Sequence, residues 1–170
     1  MFERILVPLD GSRLAECVLP HTVAMARSFG AQVTLLRVLE RDHSGELPAL
    51  NALDWQFRKA EGEARLKELA ARLYKVGLQT EHKLVEGRAA EQILAFARQN
   101  GTDLIILSSH GRSGLSGWNV SSVVQKIIIR ACMSIMIVRA YQPRVSDLTG
   151  LSYKRLLLPL DGSQRAEHIL

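Results

Sequence analysis

Apolar positions along this chain of 170 residues follow two different spacings. Short runs of branched apolar residues, typical of buried strands, alternate with longer segments in which apolar residues recur every three or four positions, as in helices with one buried face. The pattern therefore predicts five strands and four intervening helices. Strands are predicted near residues 3–9, 31–39, 80–86, 104–107 and 135–138, and helices near residues 13–29, 53–76, 89–99 and 120–131.

Strict alternation of strands and helices indicates an α/β protein with a parallel sheet that is covered on both faces by right-handed crossovers. We expect the first and fourth strands to be neighbours at the point where the strand order reverses. The loops that follow them, 8–12 and 108–122, would then line one crevice. The second loop contains three glycines and leads into a helix, whose unpaired N–H groups favour an anion such as phosphate.

Two local features modify the first predicted helix. Asp10 and Ser12 follow the first strand, and both residue types can turn the chain and cap a helix. Pro20 falls inside the helical pattern, so a kink or an irregular turn is expected there.

Composition excludes some classes of function. Hydrophobic residues make up 47% of the chain and charged residues 23%, which is typical of a soluble globular protein. No apolar run approaches the roughly 20 residues of a membrane span, and the N-terminus does not resemble a signal peptide. We therefore expect a cytoplasmic protein, in which Cys17 and Cys132 are buried free thiols.

The net charge of +5 permits binding of anions, but the basic residues are scattered. No dense tract of lysine and arginine is present, and aromatic residues are only 5% of the chain. A solvated basic surface is therefore favoured over a nucleic-acid interface.

The start of the chain is repeated near its end. Residues 2–19, FERILVPLDGSRLAECVL, match residues 153–170, YKRLLLPLDGSQRAEHIL, at a constant offset of 151 with ten of eighteen positions identical. This match indicates an internal duplication. We predict one domain over residues 1–140, a linker over 141–152 and the incomplete start of a second repeat over 153–170, which is too short to form its own core.

The motifs resemble those of the universal stress protein family. The resemblance is carried by RILVPLDGS near the N-terminus, by DLIILSSHGRSGLSGW, and by the Val-Val-Gln-Lys helix that is followed by SIMIV. It covers residues 2–139 and resumes at 153. It implies a flavodoxin-like or Rossmann-like sandwich with strand order 3-2-1-4-5, a homodimer formed through the last strand, and, in many members, a tandem arrangement.

One branch of this family binds ATP through a loop of the form Gly-x2-Gly-x9-Gly-Ser/Thr. In this chain that form falls on Ser108, Gly111, Ser121 and Ser122, so that serine replaces the first and third glycines. Where a positive φ is required, a side chain costs about 1–2 kcal/mol. A side chain can also block the close approach of phosphate, although serine hydroxyls can donate to it.

The resemblance implies roles for individual residues. Asp10 would lie near the ribose or a metal-bound phosphate, and the backbone of Val38 would contact adenine. His110 would form structural hydrogen bonds or contact phosphate, and Arg112 would either pair with phosphate or be solvated. The full implied cofactor-binding set is Pro8, Leu9, Asp10, Ser12, Val38, Leu107, Ser108, His110, Gly111, Arg112, Gly114, Ser121, Ser122 and Val123.

Two hypotheses about function remain open. The first is a stress protein that holds ATP, with Mg²⁺ or Mn²⁺, and hydrolyses it very slowly or not at all. The second is a nucleotide-free stress protein that acts through dimerisation and contacts with another protein. An enzyme is disfavoured because the spacing of residues shows no set of nucleophile, base and orienting group, no metal-ligand set and no Gly-x4-Gly-Lys-Ser/Thr loop.

Overall fold

In the computed structural model, which describes residues 1–40, 48–111, 120–140 and 148–159, five parallel strands form one sheet. The strands are β1 (Arg4–Pro8), β2 (Gln32–Leu39), β3 (Thr80–Glu86), β4 (Leu104–Ser108) and β5 (Ser134–Val138). The helices are α1 (Leu19–Phe29), α2 (Pro48–Lys75), α3 (Ala89–Gln99) and α4 (Ser122–Arg130). The sheet order is β3-β2-β1-β4-β5, which confirms the predicted α/β fold and its strand order.

The core lies on both faces of the sheet. In β1, Ile5 and Val7 belong to the apolar cluster that contains residues of α1 and α2. Leu6, between them, belongs to the opposite cluster, which contains residues of α3 and α4. All three side chains are buried, because a central strand of a parallel sheet packs against helices on either side. This is why β1 reads as a continuous apolar run rather than an alternating one.

Two helix starts differ in detail from the sequence pattern. The segment predicted as one helix over 13–29 is a 3-10 turn at Ala15–Val18 followed by α1, and Pro20 lies in the first turn of α1, where no N–H is needed. The predicted irregularity at Pro20 is thereby confirmed. The helix predicted to begin near Leu53 begins at Pro48, and proline is equally suited to that first position.

The two cysteines occupy different environments. Cys17 is buried in the 3-10 turn, as expected. Cys132 is exposed, so the expectation that it is buried was wrong. The reason is that α4 ends at Arg130, which places Cys132 in the connection to β5 instead of on the buried face of a helix. Within the described ranges, none of the helices combines the length and apolar character needed to cross a membrane.

In the described part of the segment after β5, Leu148 and Tyr153 contact the sheet domain. Leu148 packs against the cluster of α1 and α2, and the hydroxyl of Tyr153 lies 2.6 Å from Nδ1 of His21. Beyond this point Leu156 and Leu157 are 80% and 92% exposed and form no strand. The predicted linker residues 141–147 and repeat residues 160–170 lie outside the described residues, so the division into domains stays a prediction.

Asp103, which directly precedes β4, connects that strand to the start of β1 through side-chain hydrogen bonds. Its Oδ2 accepts hydrogen bonds from the backbone N–H groups of Glu3 and Arg4, both at 2.9 Å. These bonds lower the pKa of the Asp103 carboxyl in the folded protein, and the bond from Glu3 has the larger effect. A carboxyl whose pKa is lowered on folding stabilises the protein at pH values above the pKa that the group has in the unfolded chain. This contribution is lost as the pH falls through the pKa that the group has in the folded protein.

We expect Asp103→Asn to reduce the free energy of unfolding by about 0.5–1 kcal/mol at pH 7, which is less than usual for hydrogen bonds to charged groups because solvent screens this site. The difference from wild type should shrink as the pH is lowered toward 2. Urea unfolding at a series of pH values measures both effects. Glu81→Gln, which removes an exposed carboxylate of β3, is the control. A variant as stable as wild type at pH 7 would contradict the assignment.

Candidate functional site

A cavity of about 630 Å³ lies at the carboxyl ends of β1, β2 and β4 and is bordered by the first turns of α3 and α4. It lies where the strand order reverses, as predicted for ligand binding in such sheets. Most of the predicted site residues line it: Pro8, Leu9, Asp10, Val38, Leu107, Ser108, His110, Gly111, Ser121, Ser122 and Val123. Ser12 does not line it, and Arg112 and Gly114 lie outside the described residues.

The loop after β1 is held by its own side chains. Oδ1 of Asp10 accepts hydrogen bonds from the backbone N–H of Ser12 at 2.9 Å and from its hydroxyl at 2.7 Å. Oγ of Ser12 in turn accepts from the N–H of Ala15 at 3.1 Å. This arrangement is turn and capping chemistry, which accounts for Ser12 without a ligand. It also fixes the Asp10 carboxylate at the edge of the cavity.

Gly111 brings the loop after β4 against the loop after β1. A Cβ atom at position 111 would lie 1.9 Å from Oδ2 of Asp10 and 2.8 Å from its Cγ, so a side chain there cannot coexist with the present position of the carboxylate. The φ of Gly111 is not in the left-handed region. Glycine is therefore required here for close approach between the loops, not for an unusual backbone conformation.

The serines that replace motif glycines fit without strain. Among the described residues, positive φ angles occur only at glycines, and Ser121 has φ −58° and ψ 153°. Ser108 Oγ donates to the carbonyl oxygen of His110 at 2.6 Å, and Ser121 Oγ accepts from the N–H of Val124 at 3.3 Å as the N-cap of α4. Both hydroxyls are thus bonded to their own loop or helix, and the cavity remains open.

The first turn of α4 presents free hydrogen-bond donors to this cavity. Within the described part of the chain, the N–H groups of Ser122 and Val123 have no acceptor, and both residues line the cavity. The N-terminal amides of a helix carry partial positive charge, and together they form a binding site for an anion. This end of the cavity is therefore suited to a phosphate group.

The first turn of α3 is already occupied by a carboxylate. Glu40, which directly follows β2, accepts a hydrogen bond from the N–H of Ala89, and both residues line the cavity. A second anion at this end would be repelled by the Glu40 carboxylate. The two helix starts consequently give the cavity one end that favours an anion and one end that disfavours it.

Sequence reasoning missed Glu40 and Arg37. Arg37 lies within the apolar run of β2 and is only 5% exposed, and its guanidinium packs behind Gly11, whose added Cβ would lie 2.8 Å from Cζ of Arg37. Gly11 also has φ 82°, a backbone conformation that favours glycine. The position of Glu40 just past a strand end was a signal that could have identified it. Nothing in the pattern distinguished Arg37 from an exposed strand residue.

Arg58 of α2 also reaches the cavity wall. It lies over the ring of Trp55, with Cζ 5.7 Å from the ring centroid. This places Trp55 beside a residue of the cavity wall. The described residues contain no group of three or more histidine, cysteine, aspartate or glutamate side chains that could hold a metal ion by themselves.

Comparison with known sequences identifies relatives of this chain. The sequence profile of the universal stress protein family matches residues 1–139. The universal stress protein MJ0531 of Methanocaldococcus jannaschii is 26% identical over 141 residues, which are 82% of this chain and 83% of that protein. A universal stress protein of Mycolicibacterium smegmatis is 28% identical over 137 residues, which are 79% of this chain but 45% of that protein.

Solved structures share the fold. The structure of MJ0577 superposes with a TM-score of 0.75 at 26% identity and covers 83% of this chain and 98% of its own. Two further universal stress protein structures with this fold were solved as nucleotide complexes. One contains cAMP and superposes with a TM-score of 0.62 at 19% identity. The other, from Archaeoglobus fulgidus, contains dAMP and superposes with a TM-score of 0.59 at 18% identity. The profile match over residues 1–139 and the shared strand order show that this chain belongs to the universal stress protein family.

Proposed function

We propose that this protein is a stress-response protein that binds an adenine nucleotide, ATP in the first instance, in the cavity at the carboxyl edge of its sheet. The observation that carries the proposal is the pair of N–H groups at Ser122 and Val123, which have no acceptor among the described residues and lie at a cavity that the serine replacements leave open. Family members of the same fold that bind cAMP and dAMP support the class of ligand.

The charges around the cavity favour one orientation of the nucleotide. The phosphates lie at the start of α4, where amides are free, and the base lies toward the end of β2, at Val38. The apolar side chains of Leu9 and Leu107 are suited to the uncharged part of the ligand. The Glu40 carboxylate disfavours the reverse orientation, because it would repel a phosphate at the start of α3.

Asp10 is suited to a divalent cation that accompanies the phosphates. Mg²⁺ is commonly bound by one or two carboxylates together with phosphate oxygens, and it does not need a cage made of protein side chains. The Asp10 carboxylate lies at the edge of the cavity and contacts Gly111. Gly111 belongs to the loop between β4 and α4, and the start of α4 is the proposed phosphate site. Mg²⁺ or Mn²⁺ there would neutralise part of the phosphate charge.

We propose binding as the function, not catalysis. His110 lines the cavity, and its Nδ1 lies 3.0 Å from Oγ of the neighbouring Ser109. The same Oγ accepts a hydrogen bond from the N–H of Ala140. That arrangement positions the imidazole but does not activate a nucleophile toward the cavity. The bound nucleotide would thus serve as a signal, with hydrolysis very slow if it occurs.

A second candidate function is favoured by the surface of β5. This strand is at the edge of the sheet, Ile137 is exposed, and Ile129 of the adjoining α4 is 81% exposed. An apolar edge strand can pair with another chain. We propose that the protein forms a homodimer through this edge, and a stress protein that acts only through such contacts and an unidentified protein partner is the alternative to nucleotide binding.

We also propose that residues 153–170 are the first strand and the beginning of a second domain of the same type. The repeated sequence supports this proposal. The relative from Mycolicibacterium smegmatis also supports it, because the match with this chain covers only 45% of that protein, which leaves room there for a second domain. Strand residues of the second unit would be buried only once the remaining strands of that unit surround them.

Nucleotide should be recovered from the purified protein. We expect denatured protein to release ATP, ADP or AMP at close to one molecule per chain in mass analysis, and we expect titration of nucleotide-free protein with Mg-ATP to give saturable heat. Protein that carries no nucleotide and gives no heat on titration would contradict the proposal and favour the alternative function.

Gly111→Ala should weaken Mg-ATP binding at least tenfold, because its Cβ displaces the Asp10 carboxylate and separates the two loops. Gly30→Ala is the matched control: it introduces a Cβ at a left-handed residue with nothing within 4 Å, at the end of α1, and should cost about 1–2 kcal/mol of stability without an effect on affinity. Calorimetric titration and urea unfolding measure the two effects. Equal affinities for both variants would show that the loop contact is not part of the site.

Restoring the motif glycines tests whether the serines obstruct the site. Because both serines have ordinary backbone angles and bonded hydroxyls, we expect the double variant Ser108→Gly, Ser121→Gly to bind Mg-ATP within about threefold of wild type. Loss of the Ser121 cap should lower the free energy of unfolding by a few tenths of a kcal/mol, as usual for serine to glycine. Binding more than tenfold tighter than wild type would mean that the hydroxyls interfere with the phosphates.

A further inference from the structure

The first turn of α1 is contacted by the segment that follows β5. In this segment Leu148 packs against the apolar cluster of α1 and α2, and the hydroxyl of Tyr153 lies 2.6 Å from Nδ1 of His21. His21 is the third residue of α1. The rings of His21 and Tyr153 also lie beside each other, with their centroids 5.9 Å apart. The start of α1 therefore already has a neighbour from beyond the sheet domain.

The pair is suited to a hydrogen bond between neutral groups. His21 is partly buried, and this burial lowers the pKa of its imidazole, so the ring is neutral at pH 7. A neutral imidazole and a phenol can bond in either direction: the Tyr153 hydroxyl donates to Nδ1, or an N–H at Nδ1 donates to the hydroxyl oxygen. In both cases the bond depends on the hydroxyl of Tyr153.

The internal repeat shows what is particular about Tyr153. The offset of 151 pairs it with Phe2, which precedes β1 in the first repeat. The ring of Phe2 packs edge to face against Phe29, the last residue of α1, with centroids 5.1 Å apart. Each repeat thus has an aromatic ring just before its first strand, but the ring of the second repeat carries an added hydroxyl. That hydroxyl contacts the first domain.

The position of this contact in the fold determines where the second repeat starts. The strands are parallel, so the chain leaves β5 at the carboxyl edge of the sheet, and α1 begins at the same edge because it follows the loop after β1. By the same offset, Arg155 corresponds to Arg4, the first residue of β1. The first strand expected in the second repeat therefore follows closely after Tyr153.

We propose that the start of α1, with His21 at its centre, is the surface on which the beginning of the second repeat docks, and that Tyr153 is the residue that anchors it. The partner of this surface is the second unit of the same chain. The inference rests on the proposed second domain and is independent of nucleotide binding. The hydroxyl that distinguishes Tyr153 from Phe2 is thereby assigned to a contact between the two units.

Trypsin cleavage after Lys154 and Arg155 measures how often the anchor is released, because a protease acts on segments that have come away from the fold. Tyr153→Phe keeps the ring and introduces the residue of the first repeat, but removes the hydroxyl. We expect it to raise the cleavage rate about three- to tenfold at pH 7, as for the loss of one hydrogen bond. Tyr74→Phe, which removes an exposed hydroxyl of α2, is the matched control and should leave the rate unchanged.

A double-mutant cycle tests whether His21 is the partner. His21→Phe keeps a ring without a nitrogen, so it should raise the rate as much as Tyr153→Phe does, and the double variant should be cleaved no faster than either single one. Backbone order parameters from ¹⁵N relaxation should be higher at residues 151–153 than at 156–158 in wild type, and Tyr153→Phe should lower them. Thermal unfolding checks that each variant is folded.

Equal cleavage rates for Tyr153→Phe and Tyr74→Phe would overturn the inference, and so would additive effects of the two substitutions in the cycle. Wild-type order parameters as low at residues 151–153 as at 156–158 would also overturn it. The proposed second domain would remain in each case, because the repeated sequence supports it. Titration of Tyr153→Phe with Mg-ATP should match wild type, which keeps this test separate from that of nucleotide binding.

Discussion

The contact between the loops after β1 and β4 is the constraint on which the candidate site depends. These strands are hydrogen-bonded neighbours although more than ninety residues separate them, with Ile5 opposite Leu104 and Leu6 opposite Ile105. Their pairing brings Gly111 against the Asp10 carboxylate, which Ser12 holds in place. Because the strand order reverses here, the helices on the two sides diverge and leave a cavity. The chemistry of the site follows from this one junction.

The fold could be predicted from the sequence because its signals are local and repeated. A strand such as β4 is buried on both faces and therefore appears as an uninterrupted apolar run, which is typical of a strand in a parallel sheet. The start of α2 could not be placed because Pro48 suits both a loop and the first turn of a helix. Glu40 and Arg37 were missed for a different reason: their roles depend on Ala89 and Gly11, which only the tertiary structure brings close.

The serines at 108 and 121 show what a glycine motif encodes. A glycine in a binding loop can be needed for a positive φ, for close approach, or for neither. Gly111 is needed for close approach, whereas Ser121 adopts ordinary angles and caps α4 with its hydroxyl. The groups that can bind an anion are the backbone amides of Ser122 and Val123, which do not depend on the identity of residue 121. Sequence alone could not separate these cases, because φ is a property of the folded loop.

The repeated segment separates the effect of sequence from that of surroundings. Residues 4–8, RILVP, form the central strand of the sheet, while residues 155–159, RLLLP, form no strand in the described structure. Leu6 is fully buried and its counterpart Leu157 is 92% exposed. The two stretches have nearly the same apolar character, so intrinsic preference cannot explain the difference. The difference lies in the partners: β1 has β2 and β4 on either side and helices on both faces, and a strand without them has nothing to bury its side chains against.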